Sequence, residues 1–264
     1  MPTISLAIQK GGAGKTTTAI NLAAALQQMG RSVLLVDLDP QANLTHALGL
    51  TEADESLTTI YQLLKQEMGG ATADLRSIIL ETQTGLVLAP AGLELADAEL
   101  ELVATYGREQ LLQRMLEPLG EAYDYILIDC PPAVGMLTVN ALVASDYIIM
   151  PLQAEFLPLK GLQSFNKHYQ HLQRSLNPNL RLLGLVLSRY DRRKKQHQRV
   201  RQILEEDYPG LLFDTAIRTN VALAESQEAG LDIYQFAPQS NGASDYLFLA
   251  HELEQRLAAI TQAS

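Results

Sequence analysis

The chain reads as an α/β protein with a doubly wound, mostly parallel sheet and helices on both faces. Three observations predict this. Short apolar runs alternate with segments of helical periodicity along the 264 residues, which is the rhythm of parallel strands joined by crossover helices. The first run, residues 4–8, passes through a glycine-rich loop directly into an alanine-rich helical run, residues 16–29, closed by Gly30. Polar residues stand where such runs end, at Gln9/Lys10, Asp37/Asp39 and Asp129, and the carboxyl ends of parallel strands are where this architecture binds ligands.

Taken in order, the remaining strands are expected at residues 33–37, 86–89, 125–129, 147–151, 182–187 and 211–214, each short, apolar and bounded by turn residues. Helices are expected over residues 100–116 and 198–206, and a terminal helix over 246–258. No repeat, long linker or low-complexity tract interrupts the pattern. A hydrophobic content of 47% with 19% charged residues is ordinary globular composition, so one domain spanning 1–264 is expected. A single cysteine, Cys130, cannot build a disulfide framework, and no charged-then-apolar leader precedes Ile4; both point to the cytoplasm. No window approaches eighteen uninterrupted apolar residues, so no membrane span is expected.

The loop after the first strand reads Lys10-Gly11-Gly12-Ala13-Gly14-Lys15-Thr16-Thr17. It fits the phosphate-loop pattern G-x-x-x-x-G-K-[ST] only when relaxed to G-G-x-G-K-[ST], because Gln9 or Lys10 holds the first glycine position. The chemistry is nevertheless that of a P-loop nucleotide-binding fold. A nucleoside triphosphate must be met by backbone N–H groups on residues free to take φ > 0 and carrying no bulk. Gly11, Gly12 and Gly14 supply that freedom, and Ala13 and Thr17 complete the cradle. Lys15 is placed to reach the β/γ oxygens and the Thr16 hydroxyl to ligate Mg²⁺. The phosphates would rest on the helix N-terminus.

Three acids also need roles. Asp129 ends a buried strand and can hold Mg²⁺ directly or through water, although an aspartate there is also an ordinary turn former or cap. Asp37 and Asp39, two apart, face the same side of an extended segment. Asp37 suits the Mg²⁺ shell, and Asp39-Pro40 can also start a turn.

Residues 10–17 resemble the deviant Walker A box of the ParA/MinD superfamily of ATPases. Asp37-Leu38-Asp39-Pro40-Gln41-Ala42-Asn43-Leu44-Thr45 resembles the second box of ParA proteins, and Tyr125-Ile126-Leu127-Ile128-Asp129-Cys130-Pro131-Pro132 their Walker B strand. Residues 137–142 and 157–161 are similar as well. Further on, Asn220-Val221 and residues 223–225 resemble the base-loop region, with Arg218-Thr219 where a proline-arginine pair is usual. The resemblance implies an ATPase using ATP and Mg²⁺, with Asp39 positioning the attacking water and Asn220 near the adenine. It also implies that Lys10 reaches across an ATP-dependent homodimer to phosphates held by the other subunit, much as an arginine finger does.

Arg189, Arg192, Arg193, Lys194, Lys195, Arg199 and Arg201 fall within thirteen residues opposed only by Asp191, a local charge of +6 in a chain of net −10. Such a cluster is the footprint of a polyanion, or a solvated helix face. The resemblance favours DNA held through its phosphates without sequence preference, with Arg218 adjoining, in a nucleoid-associated protein. It further implies a ParB-like or other adaptor that stimulates hydrolysis, and a plasmid, chromosome origin or protein organelle as cargo. MinD-like membrane binding is the alternative, but residues 246–258 carry Glu252 and Glu254 against Arg256 alone, which an anionic bilayer would not attract. A nucleotide-dependent scaffold without a DNA role is another. Iron-protein relatives need cluster-ligating cysteines that Cys130 alone cannot provide.

Overall fold

The computed structural model describes residues 1–50, 57–154 and 159–263. Its centre is β1 (Thr3–Leu6), which pairs in parallel with β5 (Tyr125–Asp129) on one side and β6 (Tyr147–Gln153) on the other. With β2 (Val33–Asp37), β3 (Leu80–Glu81), β4 (Val87–Ala89) and β7 (Arg181–Ser188) the sheet runs β3-β4-β2-β5-β1-β6-β7. Every pairing is parallel except the short antiparallel β3–β4 edge.

The strands are apolar in both directions because both faces are covered. Leu35 of β2 and Leu127 of β5 join one core with α1 (Lys15–Gln28) and the later α10 (Ile233–Phe236) and α11 (Asn241–Ala263). Leu34, Val36, Ile126 and Ile128, which alternate with them, face a second core. There they meet α3 (Ile60–Met68), α5 (Leu111–Leu116), α6 (Met136–Val143) and α7 (Leu159–Ser175). The short α2 (Asn43–Ala47) and α9 (Ala222–Glu228) flank the carboxyl edge of the sheet, and α4 (Leu95–Glu101) and α8 (Lys195–Asp207) complete the set. Among the described residues no helix is long and apolar enough to cross a membrane.

Three expectations change. Residues 211–214 form no strand, only a bridge from Leu185 to Leu212. Leu185 N donates to Leu211 O at 2.8 Å and Phe213 N to Leu185 O at 2.9 Å, so the pairing with β7 is made at this one point and not extended. Arg256 lies over the Phe213 ring at 3.9 Å and donates to Leu211 O at 3.3 Å and Leu212 O at 2.5 Å. The helix expected over 100–116 is broken, because α4 gives way to a 3₁₀ turn at Leu102–Ala104 and a loop containing Gly107 at φ 63° before α5 begins. The β3 edge was not anticipated, since two residues carry no periodicity. The terminal helix runs Asn241–Ala263 and buries Tyr246, Leu249, Ala250 and Leu253 against α1 and its core, while Glu252 and Glu254 pair with Arg256 and Arg31. Of the ParA-like stretch 157–161, residues 157 and 158 lie outside the described residues.

Candidate functional site

The loop between β1 and α1 opens onto a cavity of about 610 Å³ at the carboxyl edge of the sheet. Gly11 through Thr17 all line it, together with Asp39, Asn43, His46, Ser188, Asn220, Gln227 and Tyr246. Gly12 and Gly14 adopt φ 69° and 97°, the left-handed region that side chains disfavour. Gly14 precedes the first residue of α1, so the helix's unpaired N–H groups open toward the cavity.

The two lysines of the loop differ in their surroundings. Lys15 is 6% exposed, with Nζ 3.5 Å from Lys10 O. Lys10 is half-buried, and its Nζ donates to Gln153 Oε1 at 3.2 Å. Sequence reasoning missed Gln153 and Ser188. Both end apolar strands, so the carboxyl-end rule could have found them.

Below the loop, Thr16 Oγ1 donates to Asp129 Oδ2 at 2.6 Å. The other oxygen, Asp129 Oδ1, is buried and has no hydrogen-bond partner. A buried acceptor left orphaned next to a hydroxyl under a phosphate loop is the donor set a divalent cation completes, so Thr16 and Asp129 fit Mg²⁺. Burial, and then the charge of Asp37, push the Asp129 carboxyl well above the usual range. Cation binding favours the ionised form and offsets that penalty.

Asp37 sits opposite Asp129 in the parallel register and is fully buried, but its oxygens are engaged by protein. Oδ1 accepts from Asp39 N at 3.1 Å, and Oδ2 from Thr45 N at 2.9 Å and Thr45 Oγ1 at 2.7 Å. Burial pushes its pKa up to about 7, against the opposing effect of those bonds. In this arrangement Asp37 organises the loop from Leu38 to Thr45, and the orphaned atom that calls for a cation belongs to Asp129. Asp39 reaches the cavity at 5% exposure. Burial raises its pKa, while Gln41 N on Oδ1 at 3.0 Å and the charge of Lys15 pull it back.

Asn220 lines the cavity with Oδ1 accepting from Ala222 N at 3.0 Å, so part of its amide serves the start of α9. Thr17 Oγ1 donates to Gln227 Oε1 at 3.3 Å, and Thr18 and Tyr246 share a hydrogen bond of 3.3 Å. The basic residues separate into two groups. Arg192, Arg193, Lys194, Lys195 and Arg199 are exposed around the start of α8, and Arg193 forks onto Asp191, holding that carboxyl well below its usual range. Arg201 is half-buried and bonded to Glu205 at 2.7 Å. Arg189 and Arg218 instead line the cavity, where Arg218 grips Asp245 at 2.6 and 3.0 Å.

An AAA-domain family model matches residues 1–182. The sporulation initiation inhibitor protein Soj of Bacillus subtilis is 41% identical over 251 residues, covering 95% of this chain and 97% of its own. A chromosome partitioning protein ParA of Caulobacter vibrioides is 37% identical over 255 residues, covering 96% and 94%. Among solved structures, the cobyrinic acid a,c-diamide synthase of Mycobacterium smegmatis with bound ADP and magnesium superposes with a TM-score of 0.82 at 33% identity, over 97% of this chain and 95% of that one. With a phosphate loop, an orphaned strand-end carboxylate and partition-protein relatives along nearly its whole length, this chain belongs to the ParA family of P-loop ATPases.

Proposed function

We propose that the chain acts as one ATPase domain spanning 1–264 that binds MgATP, dimerises around the nucleotide, binds DNA without sequence preference and hydrolyses ATP to position a cargo over the nucleoid of a bacterial cytoplasm. The observation that carries this reading is the unlike pair of lysines on one loop. Lys15, buried on the cavity wall, is matched to phosphates held by its own subunit. Lys10, half-buried and bonded to Gln153, is the one suited to reach a second copy.

In this reading Thr16 and Asp129 hold Mg²⁺, which neutralises phosphate charge, and the loop N–H groups from Gly11 to Thr17 take the phosphate oxygens. Asp39, at the cavity edge with its backbone tied down by Asp37, orients the attacking water. Its raised pKa helps it accept a hydrogen bond from that water without being tied to a cation. Lys10 from the partner adds positive charge where negative charge develops in the transition state. Asn220 and the neighbouring loop take the base. The name of the chromosome partitioning protein ParA among the relatives supports a partition role, and this reading adds an adaptor that stimulates turnover. The exposed basic residues Arg192, Arg193, Lys194, Lys195 and Arg199 supply phosphate contacts.

Size-exclusion chromatography of Asp39→Ala with ATP and Mg²⁺, with and without random-sequence duplex, tests the reading. A stable dimer that shifts onto duplex and is released by salt is expected. A monomer under all conditions, or a dimer indifferent to duplex, would refute the dimer or the DNA role respectively.

A further inference from the structure

Two adjacent strands end in a matched pair of polar residues that hold the phosphate loop from outside. Gln153 of β6 and Ser188 of β7 are register partners. Gln153 Nε2 donates to Gly12 O, and Ser188 Oγ lies 3.0 Å from Ala13 O and 3.3 Å from Leu152 O. Successive loop carbonyls are thereby engaged by side chains on the sheet side. A peptide whose carbonyl is fixed there has its N–H orientation fixed with it, so the clamp sets the loop before any anion arrives. The other end of the Gln153 amide accepts Lys10 Nζ at 3.2 Å. One side chain therefore bridges the loop's backbone and its extra lysine.

We propose that Gln153 is a positioning residue with two functions: with Ser188 it preorganises the loop for phosphate, and by itself it retains Lys10 within its own subunit until a partner's phosphates compete for that ammonium. The second function rests on the dimer reading above. Retention sets a threshold on dimerisation, because the hydrogen bond to Gln153 must be exchanged for the contact across the interface. A single hydrogen bond makes a modest net contribution because the ammonium exchanges it for water or for another acceptor, so retention biases the dimer equilibrium measurably without preventing it.

The two functions predict opposite signs for one substitution. In Gln153→Met, which keeps the length of the side chain and loses both bonds, ADP affinity of the monomer should fall about 5- to 20-fold by calorimetry. In the Asp39→Ala background at saturating MgATP, the same change should tighten the dimer about 3- to 10-fold by analytical ultracentrifugation. A side chain needed only for folding would weaken both. Ser188→Ala removes a clamp but no hold on Lys10, so ADP affinity should fall while the dimer constant at saturation stays put. Should Gln153→Met fail to fold, Gln153→Asn, one methylene too short to bridge both groups, carries the same expectation. Dimerisation by Asp39→Ala with a constant unmoved or weakened by the Gln153 change would overturn the inference. No dimer from Asp39→Ala alone would instead bring down the reading on which it rests.

Discussion

The buried acid pair beneath the loop makes the stability of the nucleotide-free protein depend on pH in an unusual direction, and Asp37→Asn isolates the effect. Asp37 is fully buried, and its pKa is raised from 3.8 to about 7. Between those values the folded chain keeps a proton that the unfolded chain releases, so ν of the folded state exceeds ν of the unfolded state and stability falls as pH rises. At 1.36 kcal/mol for each pKa unit, raising the pH from 5 to 7.5 costs about 3 kcal/mol through this group, and the loss ends near pH 7. Asparagine keeps an oxygen for Thr45 N and Oγ1 but turns an amide toward Asp39 N, so the variant starts about 1–3 kcal/mol less stable at pH 5. Its further loss on going to pH 7.5 should be smaller than the parent's by roughly the 3 kcal/mol calculated. Asp129, raised by burial and by Asp37, leaves a residual slope of the same sign. Guanidinium unfolding at both pH values without nucleotide measures the difference. Parallel losses in parent and variant would show that Asp37 is ionised in the fold, and the account of its environment would be wrong.

Two other outcomes follow from the site. Lys15 lies buried beside the loop carbonyls, so Lys15→Ala should weaken ATP binding by a hundredfold or more, on the order of 3 kcal/mol for a charged contact; calorimetry returning the parent affinity would displace the phosphates from this loop. Arg192 and Lys195 are exposed, whereas Arg193 is bonded to Asp191. Arg192→Glu with Lys195→Glu should therefore lower duplex affinity and flatten its salt dependence by roughly two phosphate contacts per subunit, while ATP-dependent dimerisation is retained. An unchanged salt slope would place the duplex on another surface.

Much of this architecture was legible because parallel strands buried on both faces leave unbroken apolar runs. Val33–Asp37 and Tyr125–Asp129 were read to the residue for that reason. The loop was legible because few sequences put three glycines and Lys-Thr-Thr between a strand and a helix. What stayed hidden depends on distant pairings. Nothing near residues 211–214 signals that their pairing with β7 stops at a single bridge, and nothing near Asp37 signals that Thr45 N and Oγ1 will occupy it. Arg189 and Arg218 looked like members of one basic surface because charge counts ignore direction; the fold turns both toward the cavity.

The contact between Thr18 at the start of α1 and Tyr246 in α11 has a bearing on biogenesis. The cavity is lined both by residues 11–17, near the start of the chain, and by residues from Ile217 to Tyr246, near its end. During synthesis the phosphate loop emerges from the ribosome long before the helix that closes over it. Tight nucleotide binding should therefore begin only when translation is nearly finished.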